Sequence, residues 1–230
     1  MKIVVIGDIH GRTIWKRIVD NNQDATKIVF IGDYVDSFDI SGIEQLDNLQ
    51  EIIKFKTDNP DKVVLLVGNH DYQYWPGSPD IGNYSGYQPT MYYSFYQLFN
   101  DNRKLFQMVY VDNYDNWYSH AGFTKTWVEK AIGNLDAEQI NRVFEYSPRS
   151  FKFYENDRSG CGDSIYQSCI WVRPDSLYKD GINKTQIIGH TQITKIDLGK
   201  SVRRNYYMID AIQYGEYLII EDGIFKVGKI

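Results

Sequence analysis

The chain has 230 residues, of which 43% are hydrophobic and 24% are charged, and its net charge at pH 7 is −5. These values are ordinary for a folded protein and exclude a disordered or fibrous chain, while the negative charge gives nucleic-acid binding no support. No apolar run approaches the ~18 residues of a membrane span, and the first apolar run is too short for a secretion signal. Because the cysteines are only two, Cys161 and Cys169, we expect a cytoplasmic protein without a disulfide scaffold, folded as one domain over residues 1–230.

The first third of the chain alternates strand-like and helix-like segments. In chain order we predict a strand at 3–6, a helix at 13–21, a strand at 27–31, a helix from Ser41 to Pro60 and a strand at 63–67. Ser41 begins the second helix because Glu44, three residues later, completes a capping-box pattern. This alternation predicts an α/β fold with a mainly parallel first sheet, whose strands end at the edge where such folds bind ligands.

The rest of the chain predicts three more helices and four more strands. The helices span 91–108, 124–132 and 136–144, and the strands span 186–188, 206–209, 217–220 and 224–227, the last two forming a hairpin. The segment 72–110 is densely aromatic, and its rings either pack against the domain or form a wall that stacks a substrate. The stretch 147–168 is rich in turn residues and predicts a surface excursion.

All four histidines follow a short apolar run and stand near glycine or a carboxylate: His10, His70, His120 and His190. Each pattern predicts a buried strand that delivers an imidazole to the loop after it, and one sheet edge can hold all four. Imidazole is the commonest metal ligand and the side chain best suited to proton transfer near neutral pH. The four histidines therefore predict one polar, metal-binding active site.

Oxygen donors follow the same predicted strands. Asp8 lies two residues before His10, Asp33 follows the second strand, and Asn69 follows the third. In an extended chain Asp8 and His10 project towards one point. Together with the imidazoles after the later strands, these side chains form an oxygen and nitrogen donor set without thiolate. That set suits Mn²⁺, Fe or Zn²⁺ better than Ca²⁺ or Mg²⁺, and it is too large for one tetrahedral ion, so it predicts two ions that share a carboxylate.

Five short blocks carry a resemblance to a known family. They are Gly7-Asp8-Ile9-His10-Gly11, Gly32-Asp33-Tyr34-Val35-Asp36, Gly68-Asn69-His70-Asp71, His120-Ala121-Gly122 and Gly189-His190-Thr191. In this order they resemble the motifs of the calcineurin-like metallophosphoesterases. The second and fourth blocks are most similar to the phosphoprotein phosphatase branch, which includes phage and bacterial serine/threonine phosphatases and the symmetrical bis(5'-nucleosyl)-tetraphosphatases. The resemblance implies a four-layer α/β/β/α sandwich with mixed sheets.

Carried over by position, the resemblance implies these ligands for a first metal ion: Asp8, His10 and Asp33. It implies that Asp33 also bridges to a second ion, whose other ligands are Asn69, His120 and His190. His70 is then the proton donor rather than a ligand, with Asp36 orienting it. For Asp71 we favour a local structural role over a catalytic one. Both ions are divalent, with Mn²⁺ as the best match and Fe or Zn²⁺ as alternatives.

The sequence departs from the family pattern directly after Asp36. The phosphatase branch continues there with an arginine that binds the substrate phosphate, whereas this chain has Ser37 and Phe38. A serine hydroxyl does not replace a guanidinium that grips two phosphate oxygens. Two other arginines are candidates for that task. Arg12 lies at the predicted start of the first helix, and Arg173 lies in a Trp-Val-Arg-Pro segment similar to one in bacterial relatives.

The resemblance implies a hydrolase of phosphate monoesters, acting on phosphorylated small molecules or proteins. Two cations about 3.5–4 Å apart can hold a bridging water as hydroxide for in-line attack on phosphorus, and a protonated His70 can supply the proton that the leaving alkoxide needs. The alternatives are a nucleotide phosphohydrolase acting on dinucleoside polyphosphates and, from another class, an inactive scaffold of the same fold. Retention of His70 and Asp36 counts against the scaffold. Gln192 stands where nuclease-like members have a second histidine, which weakens a nuclease and leaves nucleic acid unsupported as a partner. Because the chain has no long apolar run, we expect no membrane partner. The oligomeric state stays open, and Asp210 either supports a ligand or caps a turn.

Overall fold

The computed structural model describes residues 1–82, 84–155, 162–199 and 205–230. In this part of the chain the strands form one sheet of six strands and one of four. The six-stranded sheet contains β1 (Lys2–Ile6), β2 (Lys27–Phe30), β3 (Val63–Leu66), β4 (Phe106–Gln107), β9 (Glu216–Glu221) and β10 (Ile224–Lys229). The four-stranded sheet contains β5 (Tyr110–Val111), β6 (Trp117–Tyr118), β7 (Gln186–Ile188) and β8 (Tyr206–Met208).

Both sheets are mixed. The larger has the order β10-β9-β1-β2-β3-β4, in which β1 to β4 are parallel while β9 runs antiparallel to both β1 and β10. The smaller has the order β5-β6-β7-β8, in which only the β5–β6 pair is antiparallel. Parallel neighbours need crossover connections, and helices lie in those from β1 to β2, from β2 to β3, from β3 to β4 and from β6 to β7. The predicted parallel arrangement of the first three strands and the predicted C-terminal hairpin are both confirmed.

The helices of the described residues are α1 (Trp15–Asp20), α2 (Gly42–Asp58), α3 (Asn69–Tyr72), α4 (Tyr92–Asn102), α5 (Lys125–Trp127), α6 (Ala137–Tyr146) and α7 (Pro174–Asp180). The predicted capping box is present at the start of α2, where Ser41 accepts from the amide of Glu44 and the Glu44 carboxylate accepts from the amide of Ser41. Beyond α5 the helix continues as a wider π-helical turn through Val128–Ile132. It ends at Ile132, as predicted, and Gly133 caps it.

The alternation of side chains along β1 defines the layers. Ile3 and Val5 pack in one apolar cluster with Tyr118 of the second sheet. Val4 and Ile6, on the opposite face, belong to the cluster that contains buried side chains of α1 and α2. On the outer face of the second sheet, Leu177 of α7 packs in a cluster with Ile188. The order is therefore helix, sheet, sheet, helix, and the predicted four-layer sandwich is confirmed.

Two segment predictions are wrong. Helix α4 ends at Asn102 rather than at 108, because Phe106 pairs with Leu65 as part of β4 and the chain turns to extend the sheet. The stretch 147–168 is not a surface excursion at its described ends. Phe151 is fully buried, and the buried hydroxyl of Ser168 donates to its carbonyl. Cys161 lies outside the described residues, whereas Cys169 is a buried free thiol whose pKa is raised by burial.

The aromatic segment mainly packs. The rings of Tyr72, Tyr74, Trp75 and Phe95 are buried, and Tyr74 lies edge-on to Phe95 with the ring centres 5.0 Å apart. This packing agrees with the first of the two alternatives predicted for the segment. None of the helices in the described ranges has the length and apolar character needed to cross a membrane.

Candidate metal centre and active site

The predicted site residues come together where five strands end. Asp8 and His10 follow β1, Asp33 follows β2, and Asn69 begins α3 directly after β3. A cavity of about 300 Å³ opens at this edge of the sheets. Of the predicted residues, it is lined by Asp8, His10, Arg12, Asp33, Asp36, Asn69, His70, Arg173 and His190. His120 follows β6 and is fully buried.

Two groups of donor atoms are compact enough to hold metal ions. Asp8, His10 and Asp33 form the first, and Asp33, His120 and His190 form the second, with donor atoms within 4.8 Å of one another in each. Asp33 belongs to both groups. Its Oδ2 lies 3.8 Å from Nε2 of His10 and 3.2 Å from Nε2 of His120. The carboxylate that the sequence predicts as a bridge therefore lies between the two groups.

Backbone carbonyls orient three of the four imidazoles. Nδ1 of His10 donates to the carbonyl of Val35 at 2.8 Å, and Nδ1 of His120 donates to that of Ile31 at 3.0 Å. In His190 the nitrogens are exchanged, and Nε2 donates to a carbonyl at 3.1 Å. A carbonyl can only accept, so the proton of each neutral ring is on that nitrogen and the other nitrogen presents a lone pair to the centre. Burial lowers the pKa of His10 to about 4 and that of His190 well below its usual value, which keeps both rings neutral.

The amide oxygen of Asn69 lies among these lone pairs. Its Oδ1 is 2.9 Å from Nε2 of His120 and 2.7 Å from Nδ1 of His190. In the neutral tautomers that the carbonyls favour, all three of these atoms are acceptors. Such a contact is repulsive on its own and becomes favourable around a cation. The donor set thus fits a divalent metal ion.

Buried carboxylates add to this need for positive charge. Asp8 and Asp33 are each 2% exposed, and Asp210, 9% exposed, lies close enough to Asp8 for its charge to act on it. Burial, with the charges of Asp210 and Asp33, raises the pKa of Asp8 well above its usual value. Burial and the charge of Asp33 also raise the pKa of Asp210 to about 6. Cations beside these carboxylates would offset both the burial and the mutual repulsion. Asp210 thus adds negative charge beside the predicted ligand Asp8.

The backbone of the site loops is strained at four residues. His10, Asp33, Asp36 and His190 all have positive φ, between 42° and 65°, a conformation that costs energy for residues other than glycine.

The fully buried carboxylate of Asp71 binds the loops together. It accepts hydrogen bonds from the amides of Asp33, Tyr34 and Gly68 at 2.7–2.9 Å. These contacts agree with the local structural role expected for Asp71.

Two glycines leave room for the carboxylates. A Cβ atom on Gly68 would lie 2.1 Å from Oδ1 of Asp33, and a Cβ atom on Gly189 would lie 2.1 Å from Oδ1 of Asp8. Real Cβ contacts are never so short. The glycine of each block is therefore required by the close approach of a predicted ligand from another loop.

His70 differs from the other three histidines because a carboxylate holds its ring. Nδ1 of His70 lies 3.1 Å from Oδ2 of Asp36. Asp36 also accepts from Nε2 of Gln73 at 2.9 Å and from the hydroxyl of Tyr74 at 2.5 Å. Burial alone lowers the pKa of His70, but the charge of Asp33 and the hydrogen bond and charge of Asp36 outweigh it and raise the pKa to about 9. In the metal-free site these carboxylates therefore favour the protonated ring.

Both candidate arginines reach the cavity. Arg173, directly before α7, donates from Nη1 to the carbonyl of His190 at 2.9 Å and to the Thr191 hydroxyl at 3.2 Å. Arg12 lies three residues before α1 rather than at its start, so a helix terminus does not assist it as predicted. In the described part of the chain its side chain makes one hydrogen bond, at 3.4 Å to the carbonyl of Ile9. A guanidinium has five N–H donors, so Arg12 retains donors for an anion.

Sequence reasoning did not assign Gln73 and Tyr74 to the site. Their signal was positional, because they follow the His70 block within five residues. The aromatic character of the segment instead favoured packing or stacking roles. Tyr74 combines two functions, since its ring packs in the core and its hydroxyl reaches Asp36.

The fold and this cluster of donors together define the class of the protein. The chain matches the family model of the calcineurin-like phosphoesterases over residues 1–213. It belongs to this family.

Individual relatives are distant. The catalytic subunit of serine/threonine-protein phosphatase 4 from Candida glabrata is 30% identical over 74 residues, which make up 30% of this chain and only 22% of that protein. A mutant cold-active protein tyrosine phosphatase has a similar structure, with a TM-score of 0.64 and 17% identity over 99% of this chain and 77% of its own. A protein serine/threonine phosphatase from Saccharomyces cerevisiae has a TM-score of 0.63 and 13% identity over 100% of this chain and 80% of its own. At these identities the likeness is one of fold.

Proposed function

We propose that the chain is a phosphatase that hydrolyses phosphate monoesters with two divalent metal ions. The observation that carries this proposal is the cluster of Asn69, His120 and His190, whose facing atoms are all acceptors and are 2.7–2.9 Å apart. A cation makes that arrangement favourable. Family membership supports the same conclusion.

We assign the first ion to Asp8, His10 and Asp33, and the second to Asp33, Asn69, His120 and His190. This donor set of carboxylates, an amide oxygen and imidazoles suits Mn²⁺ best, with Fe and Zn²⁺ as alternatives. When bound, two such ions polarise the phosphoryl oxygens and activate the attacking water. We further infer that residues 1–230 act as one domain in the cytoplasm.

The protein side chains supply the remaining chemistry. Nδ1 of His70 is held by Asp36, so Nε2–H is left to donate its proton to the ester oxygen as the alcohol departs. Asp36 stabilises the charged ring and fixes its orientation. Arg12 and Arg173 bind the phosphate oxygens, a task for which the chain has no arginine at position 37. The His70–Asp36 pair favours an enzyme over a scaffold, because a scaffold has no use for a proton donor.

Hydrolysis of p-nitrophenyl phosphate tests the proposal. Protein stripped of metal by a chelator should be inactive, and Mn²⁺ should restore turnover, with Fe, Zn²⁺ and Mg²⁺ compared in parallel. Absence of activity with every divalent ion would favour the scaffold. A phosphopeptide and diadenosine tetraphosphate, assayed side by side, separate the monoesterase from the nucleotide phosphohydrolase. A large preference for the dinucleotide would replace the monoesterase assignment.

A further inference from the structure

Phe38 is an exposed aromatic ring at the mouth of the catalytic cavity. Its side chain is 79% exposed and lines the same cavity as His70, Arg12 and Arg173. Of the large hydrophobic residues that are exposed in the described ranges, Phe38 alone lines this cavity. Within those ranges no aromatic ring pairs with it. Its face is therefore available to a ligand.

The loop that carries Phe38 is fixed at both ends. The amide of Ser37 donates to Oε1 of Gln45 at 3.1 Å, and Nε2 of Gln45 donates to the carbonyl of Ile40 at 2.6 Å. The Ser37 hydroxyl also accepts from the amides of Asp39 and Ile40, both at 3.3 Å. Gln45 is fully buried in α2. The backbone beneath Phe38 is thus anchored to a helix.

The proton donor shows which part of a substrate lies near this loop. His70 protonates the leaving oxygen, so the alcohol half of the ester lies beside His70. Asp36, which holds His70, is two residues before Phe38 on the same loop. Phe38 therefore lines the rim of the cavity on the loop that carries Asp36, the partner of the proton donor.

We propose that Phe38 is a specificity-determining residue that stacks on an aromatic ring in the alcohol half of the phosphate ester. This inference rests on the proposed function. The preferred substrates then carry a ring in the leaving group, such as a phenol or a nucleobase. Phe38 directly follows Ser37, which stands where the family arginine is missing.

Phe38→Ala tests this proposal through its selectivity. For each of two substrates, phenyl phosphate and glycerol phosphate, the ratio of wild-type to variant kcat/KM cancels the intrinsic reactivity of the ester. Base–aromatic stacking energies predict a ratio about five- to 150-fold larger for the aromatic ester. Phe38→Leu keeps an apolar side chain without the ring and should lose most of the same preference. Tyr93→Ala is the matched control, since Tyr93 is 82% exposed on α4 and does not line the cavity.

Binding of phosphonates gives a second readout that does not need turnover. Calorimetric titration of the metal-loaded protein with benzylphosphonate and propylphosphonate should show tighter binding of benzylphosphonate, and Phe38→Ala should abolish the difference. Equal losses for both ligands, or no loss for either, would overturn the role of Phe38. If wild-type protein hydrolyses no ester but retains the phosphonate difference, the proposed function fails while the stacking role stands.

The source of the ring can be separated in the same assay. In phosphotyrosine the ring is bonded directly to the ester oxygen, whereas in adenosine 5'-monophosphate a ribose lies between phosphate and base. If Phe38→Ala lowers kcat/KM more for phosphotyrosine, Phe38 stacks on phenols. If it lowers kcat/KM more for the nucleotide, Phe38 stacks on nucleobases. If neither loss of kcat/KM exceeds the loss on glycerol phosphate, the stacking role of Phe38 is refuted.

Discussion

The hydroxyl of Tyr74 donates to Oδ1 of Asp36 at 2.5 Å, while Oδ2 of the same carboxylate holds the ring of His70. The Tyr74 oxygen in turn accepts from the amide of Gln88 at 2.8 Å. The aromatic segment that follows His70 in sequence thus folds back and supports its partner. A carboxylate bound on both oxygens has one orientation, and so has the imidazole attached to it.

Tyr74→Phe removes this support and leaves the packed ring in place. Because hydrogen bonds to charged groups contribute about 1.5–3 kcal/mol, we expect kcat to fall about tenfold with little change in KM. The loss should be greater on an alkyl phosphate than on p-nitrophenyl phosphate, whose leaving group needs no proton. Tyr93→Phe, at an exposed position on α4, is the control. Equal losses on both esters would instead indicate general disruption of the site.

His70→Asn and Asp33→Asn should separate chemistry from metal binding. Removal of the proton donor should lower turnover of alkyl phosphates by about 10²–10⁴-fold while the bound metal stays unchanged. Asp33 contacts both donor groups, so its loss should release metal. Metal content by mass spectrometry, measured beside turnover, checks both expectations. A His70→Asn protein with unchanged turnover on a poor leaving group would contradict the assigned role.

The pH dependence should follow the protonation of His70. The pKa of about 9 results from burial, which lowers it, and from the charges of Asp33 and Asp36, which outweigh burial. Bound cations repel the imidazolium and move this pKa downwards. The donor works only when protonated, so kcat should be level below the pKa and fall as pH rises through it. A pH–rate profile on an alkyl phosphate should show this basic limb, and the limb should be absent in His70→Asn.

Gly68→Ala should disrupt the site through a single methyl group. The added carbon would lie 2.1 Å from Oδ1 of Asp33 and 2.5 Å from its backbone nitrogen. We expect weaker metal binding and a lower melting temperature, measured by titration calorimetry and thermal unfolding. Gly199→Ala is the matched control, since its nearest contact is Oδ1 of Asp197 at 3.4 Å. Native metal affinity in Gly68→Ala would show that the loop can move aside.

The positions of the candidate ligands in the fold could be predicted because their signals are local. A short apolar run marks a buried strand, and the polar residue after it marks the strand's end. Parallel neighbours such as β1 and β2 end at the same edge, so Asp8 and Asp33 must lie close together. The capping box at Ser41 is likewise contained within four residues.

Contacts that depend on the closed fold could not be predicted in this way. The carbonyls of Val35 and Ile31, which set the tautomers of two histidines, carry no side-chain signal. The end of α4 was missed because the pairing of Phe106 with β3 overrides a helical pattern that continues in the sequence. The hydrogen bond from Tyr74 to Asp36 joins residues that are 38 positions apart in the sequence, so it forms only when the intervening helices and strand are in place.

The two donor groups differ in how they relate to the sheets. Asp8, His10 and Asp33 all follow strands of the six-stranded sheet, whereas the second group adds His120 and His190 from the four-stranded sheet. An ion in the second group would therefore cross-link the two sheets, whereas an ion in the first group would bind residues of one sheet only. Removal of metal by a chelator should weaken the contact between the sheets mainly through loss of the second ion. The melting temperature of the protein would therefore depend mainly on whether the second metal site is occupied.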